Sequence, residues 1–140
     1  MGHYIGYHID DDLIDIIKEA NKIKAIGCNT IQIFLRIPNK IKIDQLTKLR
    51  DYLNSNNMKV VVHSAYIHNI AATWDQYSWW IKNLEFEIKY AAYIGAIGLV
   101  LHMGKQMKLS KEQALNNMYS SLIYLHNQTI EYSNVKIFLE

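Results

Sequence analysis

Cysteine occurs once in the 140 residues, at Cys28, and proline once, at Pro38. A lone thiol excludes an internal disulfide framework and every CxxC metal or redox motif, so a metal would have to sit on histidine and carboxylates. Cys28 itself is expected to be a buried thiol. With six glycines and one proline, the composition is neither collagenous nor that of a disordered linker. No apolar run approaches the roughly 18 to 20 residues of a membrane helix. Met1-Gly2-His3-Tyr4 has neither the basic flank nor the apolar stretch of a signal peptide. The expectation is an intracellular, soluble chain with no membrane partner. Charge of one sign is also scarce: 15 Lys and Arg against 13 Asp and Glu leave a net +2. Polyphosphate binding is driven by clustered cations that displace counterions, so charge alone predicts no nucleic-acid partner.

What is present is a hydrophobic half (50% of residues) distributed in a regular alternation of run and stripe. Tyr4 to Ile9 is β-branched and aromatic and stops at Asp10-Asp11-Asp12, which predicts a strand followed by an acidic helix start. Leu13, Ile16, Ile17, Ala20 and Ile23 then recur at helical spacing until Gly27. The unit repeats. Thr30 to Leu35 reads as a strand, Asp44 as the cap of a helix carrying Leu46, Leu49, Tyr52 and Leu53, and Lys59 to His63 as a third strand. A looser stretch leads to a helix over Gln76 to Ile94 with Trp80, Leu84, Ile88 and Ala91 on one face, stopped by Gly95. Ile97 to His102 is a fourth strand. Ser110 and Gln113 form a capping-box pattern before a fourth helix, and Val135 to Leu139 makes a fifth strand.

Apolar strands separated by amphipathic helices indicate parallel βα units covered by helices. An open nucleotide-binding sheet would carry a glycine-rich turn after its first strand, whereas three aspartates there would repel a phosphate. The barrel is favoured, yet a (β/α) barrel has eight units in about 250 residues. The predicted fold class is therefore α/β, a partial (β/α) TIM barrel of about five parallel strands and four helices, in one domain spanning 1–140 without linker or low-complexity tract.

The C-terminal strand ends hold the chemistry: His8 on the first, Arg36 just past the second, His63 on the third, His102 on the fourth and Glu140 past the fifth. In a βα barrel those ends meet on one face. Three imidazoles and a carboxylate are the nitrogen and oxygen donors that zinc or a similar divalent ion takes, which makes a metal site the natural hypothesis. His3 near the terminus, His68 in a loop and His126 within a helix carry no such expectation.

The runs Ile5-Gly6-Tyr7-His8, Ile31-Gln32-Ile33-Phe34, Val62-His63-Ser64-Ala65-Tyr66-Ile67-His68-Asn69-Ile70-Ala71, Leu99 to Gly104 (LVLHMG) and Ile137-Phe138-Leu139-Glu140 resemble successive strand-end motifs of the endonuclease IV family. Its members are metal-dependent apurinic/apyrimidinic endonucleases on a TIM barrel, and the resemblance covers essentially the whole chain in order. The resemblance implies that His63, His102 and Glu140 hold one zinc of a three-zinc cluster, with Glu140 the catalytic carboxylate that bridges to a second ion. It implies that Tyr66 and Ile67 enter the DNA minor groove at a lesion, and that His8 lies near the active site without being a ligand. The family's remaining ligands belong to strands six to eight, beyond Glu140, so one zinc site at most is expected here. The implied reaction is metal-assisted hydrolysis of the phosphodiester 5′ to an abasic site in double-stranded DNA.

This sequence departs from the family after strand two, where Ile37 and Asn39 replace the usual Asn and Arg, leaving Arg36 as a substitute DNA contact. Met103 stands where the family has proline. Two other readings fit the pattern: a sugar isomerase or epimerase on the related xylose-isomerase-like barrel, and a truncated, non-catalytic half-barrel. Bare first and fifth strands would call for a homodimer or a complementary C-terminal half.

Overall fold

A computed structural model describes residues 2–10, 15–35 and 42–140. Arg36, Ile37, Pro38 and Asn39 lie outside them, as do Asp11, Asp12 and Leu13. Five strands alternate with four helices: β1 (Gly6–Ile9), α1 (Ile16–Ala25), β2 (Thr30–Phe34), α2 (Ile43–Ser55), β3 (Lys59–His63), α3 (Trp79–Tyr93), β4 (Gly98–Leu101), α4 (Lys111–Gln128) and β5 (Lys136–Leu139). A 3₁₀ turn at Ile130–Tyr132, which the sequence did not announce, leads into β5.

All four strand pairings are parallel and the spatial order is β1-β2-β3-β4-β5, the order of the chain. This order decides between the two parallel architectures. A doubly wound sheet reverses its strand order at a switch point, whereas a barrel adds each strand to the outer edge of the last. The chain is a partial (β/α) TIM barrel.

Period-two alternation sorts the side chains. Ile31, Ile33, Val60, Val62, Leu99 and Leu101 point to the helix layer and are buried there. Against them pack Ile16, Ala20 and Ile23 of α1, Leu46, Leu49 and Leu53 of α2, and Trp80, Leu84, Ile88 and Ala91 of α3. The register sets His8 beside Gln32, Gln32 beside Val61, Phe34 beside His63, His63 beside Val100 and Val100 beside Phe138 on the opposite face. That second face would line a barrel interior, and its upper edge carries the histidines.

Helix ends depart from expectation by a few residues, for local reasons. The N-cap of α1 is Asp15, beyond the three aspartates. Lys42 caps α2, which places Asp44 in the first turn, where its charge still suits the helix dipole. Helix α3 starts at Trp79 because Asp75 and Ser78 first close a turn, with the Tyr77 N–H donating to Asp75 Oδ1 (2.8 Å) and the Asp75 N–H to Ser78 Oγ (2.9 Å). β1 begins at Gly6 rather than Tyr4, the Ile5 N–H going to the Asn29 side chain (2.9 Å). The capping box at Ser110 and Gln113 forms as predicted, and Gly27 and Gly95 end their helices at φ of 94° and 75°. Cys28 is partly rather than fully buried, packed at the edge of the core.

Candidate metal centre

His63 closes β3, His102 follows β4 and Glu140 follows β5, on neighbouring strands of the sheet. Backbone hydrogen bonds continue the ladders past the strand ends and hold these positions. The Ser64 N–H donates to Val100 O (2.8 Å), the Glu140 N–H to Leu101 O (3.1 Å) and the Met103 N–H to Glu140 O (2.9 Å). The residues to be brought together, 77 apart in sequence for His63 and Glu140, thus stand on a rigid frame.

Glu140 Oε2 lies 3.3 Å from His63 Nε2 and 3.9 Å from His102 Nε2. One ligand atom from each of the three residues lies within 4.8 Å of the others. Donors bound at about 2.0 to 2.2 Å in a tetrahedral site stand roughly 3.3 to 3.6 Å apart, so a small inward adjustment would fit all three to one ion. The tautomer points the same way. His63 Nδ1 is 2.8 Å from the Ser64 carbonyl, which can only accept, so Nδ1 carries a proton and Nε2 is the nitrogen that faces the carboxylate. A proton or a shared cation can join Nε2 to the carboxylate across this 3.3 Å contact, and a carbonyl holding the far nitrogen is the usual support of a metal-ligating imidazole.

His8 stands apart from this group. Its ring centroid is 6.1 Å from that of His63, and Phe34 contacts both rings, at 4.6 and 5.2 Å. Gln32 Nε2 donates to His8 Nδ1 (2.8 Å). Burial lowers the His8 pKa, the neighbouring His63 lowers it further and Asp10 opposes them. Of the three strand-end imidazoles singled out in the sequence, two join Glu140 and the third flanks them. Tyr66 and Ile67 extend from the rim just past His63, Tyr66 being 78% exposed. Arg36 lies outside the described residues.

Three residues not singled out in the sequence support the rim. Asn69 joins the loop after β3 to the segment after β4: its Oδ1 accepts from the Lys105 N–H (2.8 Å) and the Ala71 N–H (3.1 Å), and its Nδ2 donates to Lys105 O (3.0 Å). Gly104 permits that approach, since a Cβ there would collide with the Ala71 backbone and the Asn69 carbonyl. Glu87 lies on the buried stripe of α3 and accepts from the Ser64 hydroxyl (2.5 Å) and the Ala65 N–H (3.4 Å). The Ser64 proton being committed, its oxygen accepts from His68 Nδ1 (2.9 Å). His68 is buried, and its Nε2 has no partner among the described residues. Burial pushes the Glu87 pKa up to about 7 against the opposing hydroxyl and amide, and lowers that of His68 to about 4. The signal for Glu87 was available, an acid between Leu84 and Ile88 at a core-facing position. The signal for Asn69 lay only in the motif.

The family model described as xylose isomerase-like TIM barrel matches residues 20–140. A probable endonuclease 4 of Mycoplasma capricolum is 33% identical over 151 residues, covering 97% of this chain and 50% of that protein. Among solved structures, endonuclease IV from Thermus thermophilus superposes with a TM-score of 0.65 at 19% identity, covering 86% of this chain and 46% of that one. An L-ribulose 3-epimerase superposes with a TM-score of 0.78 at 13% identity, covering 96% and 48%. At such identities the structural matches establish the fold alone. The chain belongs to the xylose isomerase-like TIM barrel family, and its curated relatives support the endonuclease IV resemblance of its motifs. It spans about half the length of the curated relatives it matches. Among the described residues, no helix is long and apolar enough to cross a membrane.

Proposed function

We propose that this chain is the N-terminal half, as one domain over 1–140, of an endonuclease IV-like barrel that holds a zinc ion through His63, His102 and Glu140 and acts in repair on double-stranded DNA containing abasic sites. The observation that carries the reading is the His63–His102–Glu140 group, two nitrogens and one carboxylate oxygen on adjacent strand ends. Zinc bound there would supply a Lewis acid for a phosphodiester oxygen and offset the charge that builds at phosphorus. The chain's own residues do the rest. His63, with its proton held on Nδ1, offers Nε2. His102 offers its Nε2 from the next strand. Both approach Glu140 through Oε2, which leaves Oε1 to bridge to a second positive centre. Tyr66 and Ile67, exposed side by side beyond His63, suit insertion between bases at a lesion, an aromatic face and an aliphatic wedge. Arg36 is assigned a phosphate contact and His8 a place beside the site.

The reaction 5′ to an abasic sugar needs the ligands that the family carries on the other half of the barrel. That half, whether on this polypeptide, a partner or a second copy, would cover the exposed apolar side chains of β1 and β5. A sugar epimerase of the same fold is the competing assignment; the HSAYI run and the endonuclease 4 relatives favour the nuclease. The deciding experiment measures zinc per chain in the wild type, His63→Ala and His102→Ala, then binding and incision of a duplex with one abasic site, with ketoses plus Mn²⁺ as a parallel arm. About one zinc in the wild type, lost in both variants, and preference for the abasic duplex support the reading. Equal zinc in all three proteins, or turnover of a ketose alone, overturns it.

A further inference from the structure

We infer that Glu87, acting through Ser64, is the positioning residue that sets the tautomer and aim of His63; the inference rests on the metal-holding role proposed for that histidine. Glu87 is a carboxylate at a helix position otherwise occupied by core residues, only 5% exposed, and removing a carboxylate from water is costly unless it is met by donors. Both donors come from the turn that leaves β3. The Ser64 hydroxyl donates to Oε2 at 2.5 Å and the Ala65 N–H to Oε1 at 3.4 Å.

The second of these belongs to the peptide unit whose carbonyl is that of Ser64. The peptide is trans, so its N–H and C=O point in opposite directions. Drawing the N–H toward α3 turns the carbonyl toward the rim, where it accepts from His63 Nδ1 at 2.8 Å. If this plane were to flip, an N–H would face Nδ1 and the ring would move its proton to Nε2, the atom that faces Glu140. The ligand lone pair would be lost without any change in a ligand. Two further bonds keep the unit in register: the Ser64 N–H to Val100 O at 2.8 Å, and His68 Nδ1–H to the Ser64 oxygen at 2.9 Å. The line of contacts runs from helix layer to rim as Glu87, the 64–65 peptide, His63.

The test uses the whole chain as wild type, Glu87→Gln, Glu87→Met, Ser64→Ala and the Ser64→Ala/Glu87→Met double variant. The readouts are the His63 tautomer by ¹⁵N NMR of the metal-free protein and the affinity for Co²⁺ by its visible absorption. Gln keeps one acceptor, which the Ala65 N–H can take while the amide NH2 faces the Ser64 oxygen, and Met keeps none. The proposal expects the Nδ1–H form in the wild type and in Glu87→Gln, and a shift toward Nε2–H in Glu87→Met and Ser64→Ala. It also expects Co²⁺ binding weaker by roughly 10- to 100-fold in Glu87→Met, with Glu87→Gln within about threefold of wild type, the usual range for groups that orient a metal ligand. The double variant should lose no more than Glu87→Met, because both changes cut one line. An unchanged tautomer in Glu87→Met overturns the inference, as do additive losses in the double variant. Should Glu87→Met fail to fold, an unchanged tautomer in Ser64→Ala does the same. The metal reading fails separately, if the wild type binds Co²⁺ no more tightly than His63→Ala, whatever the tautomer.

Discussion

Leu101 and Leu139 sit side by side in the β4–β5 register, and so do Ile31 and Tyr7 in β2–β1. Leu101 and Ile31 are buried, while Leu139 is 49% and Tyr7 67% exposed. The pairs occupy the same position on the same face of the same sheet. The difference is what lies above and beside them: among the described residues, β2, β3 and β4 have a strand on each side and helices across one face, whereas β1 and β5 pair on one side only. Side-chain chemistry selects the face, and burial comes from the neighbours. The candidate metal centre straddles this divide, with His63 and His102 on the well-packed strands and Glu140 on the outermost one. A bound cation would therefore do more for β5 than for the centre of the sheet.

The largest effect that tests this contrast is a pair of truncations. Leu101→Ala should cost about 2 to 5 kcal/mol of stability in denaturant unfolding, the range for a buried leucine, and Leu139→Ala less than about 1 kcal/mol. Equal costs would mean that β5 is covered in solution by another half or another copy.

A second effect concerns the buried polar cluster beneath the centre of the sheet. The folded pKa of Glu87, about 7, lies above its ordinary 4.5, so the folded state binds the extra proton and stability falls as pH rises from 4.5 to 7. His68, lowered from 6.5 to about 4, acts oppositely, adding stability as pH rises from 4 to 6.5. Glu87→Gln removes the first contribution alone. Relative to wild type it should therefore gain about 3 kcal/mol between pH 4.5 and pH 7, read from unfolding curves across that range. A constant difference between the two proteins would show that Glu87 titrates as a solvated acid.

Zinc at 100 times its dissociation constant should raise stability by about 2.7 kcal/mol, reversed by EDTA and absent in Glu140→Gln. Amide exchange should slow most at 136–140 and least at 59–63, and uniform slowing would contradict the special dependence of β5. The smallest effect is expected from Tyr66→Ala, within about 0.5 kcal/mol of wild-type stability because the ring is exposed; on the function proposed above, affinity for an abasic duplex should fall by roughly 1 to 3 kcal/mol.

Much of this was legible in the primary sequence, unevenly so. Trp80, Leu84, Ile88 and Ala91 fall on the buried face of α3 as their spacing predicts, and Ser110 with Gln113 closes the expected capping box. The caps at Asp15 and Lys42 were misplaced because several polar residues compete near a helix start and small differences in local hydrogen bonding decide among them. His8 falls at a strand end as periodicity places it, but the three-way packing of its ring with Phe34 and His63 could not be read from spacing. The stripe of α3 places Glu87 at a core-facing position, but the Ser64 hydroxyl and Ala65 N–H that meet it come from a turn the stripe does not reveal.

The order of residues by itself determined which side chains alternate toward the helices, where the parallel strands stop, and that two histidines and a glutamate fall at three of those stops. Only the folded chain decided that His63 and Glu140 approach within 3.3 Å, that the Ser64 carbonyl holds a proton on His63 Nδ1, and that a carboxylate lies buried behind Ser64. The division has a physical cause. Periodicity and turn chemistry act over a few neighbouring residues and leave their mark in the sequence, whereas distances, tautomers and desolvation depend on groups that meet only after the strands have paired.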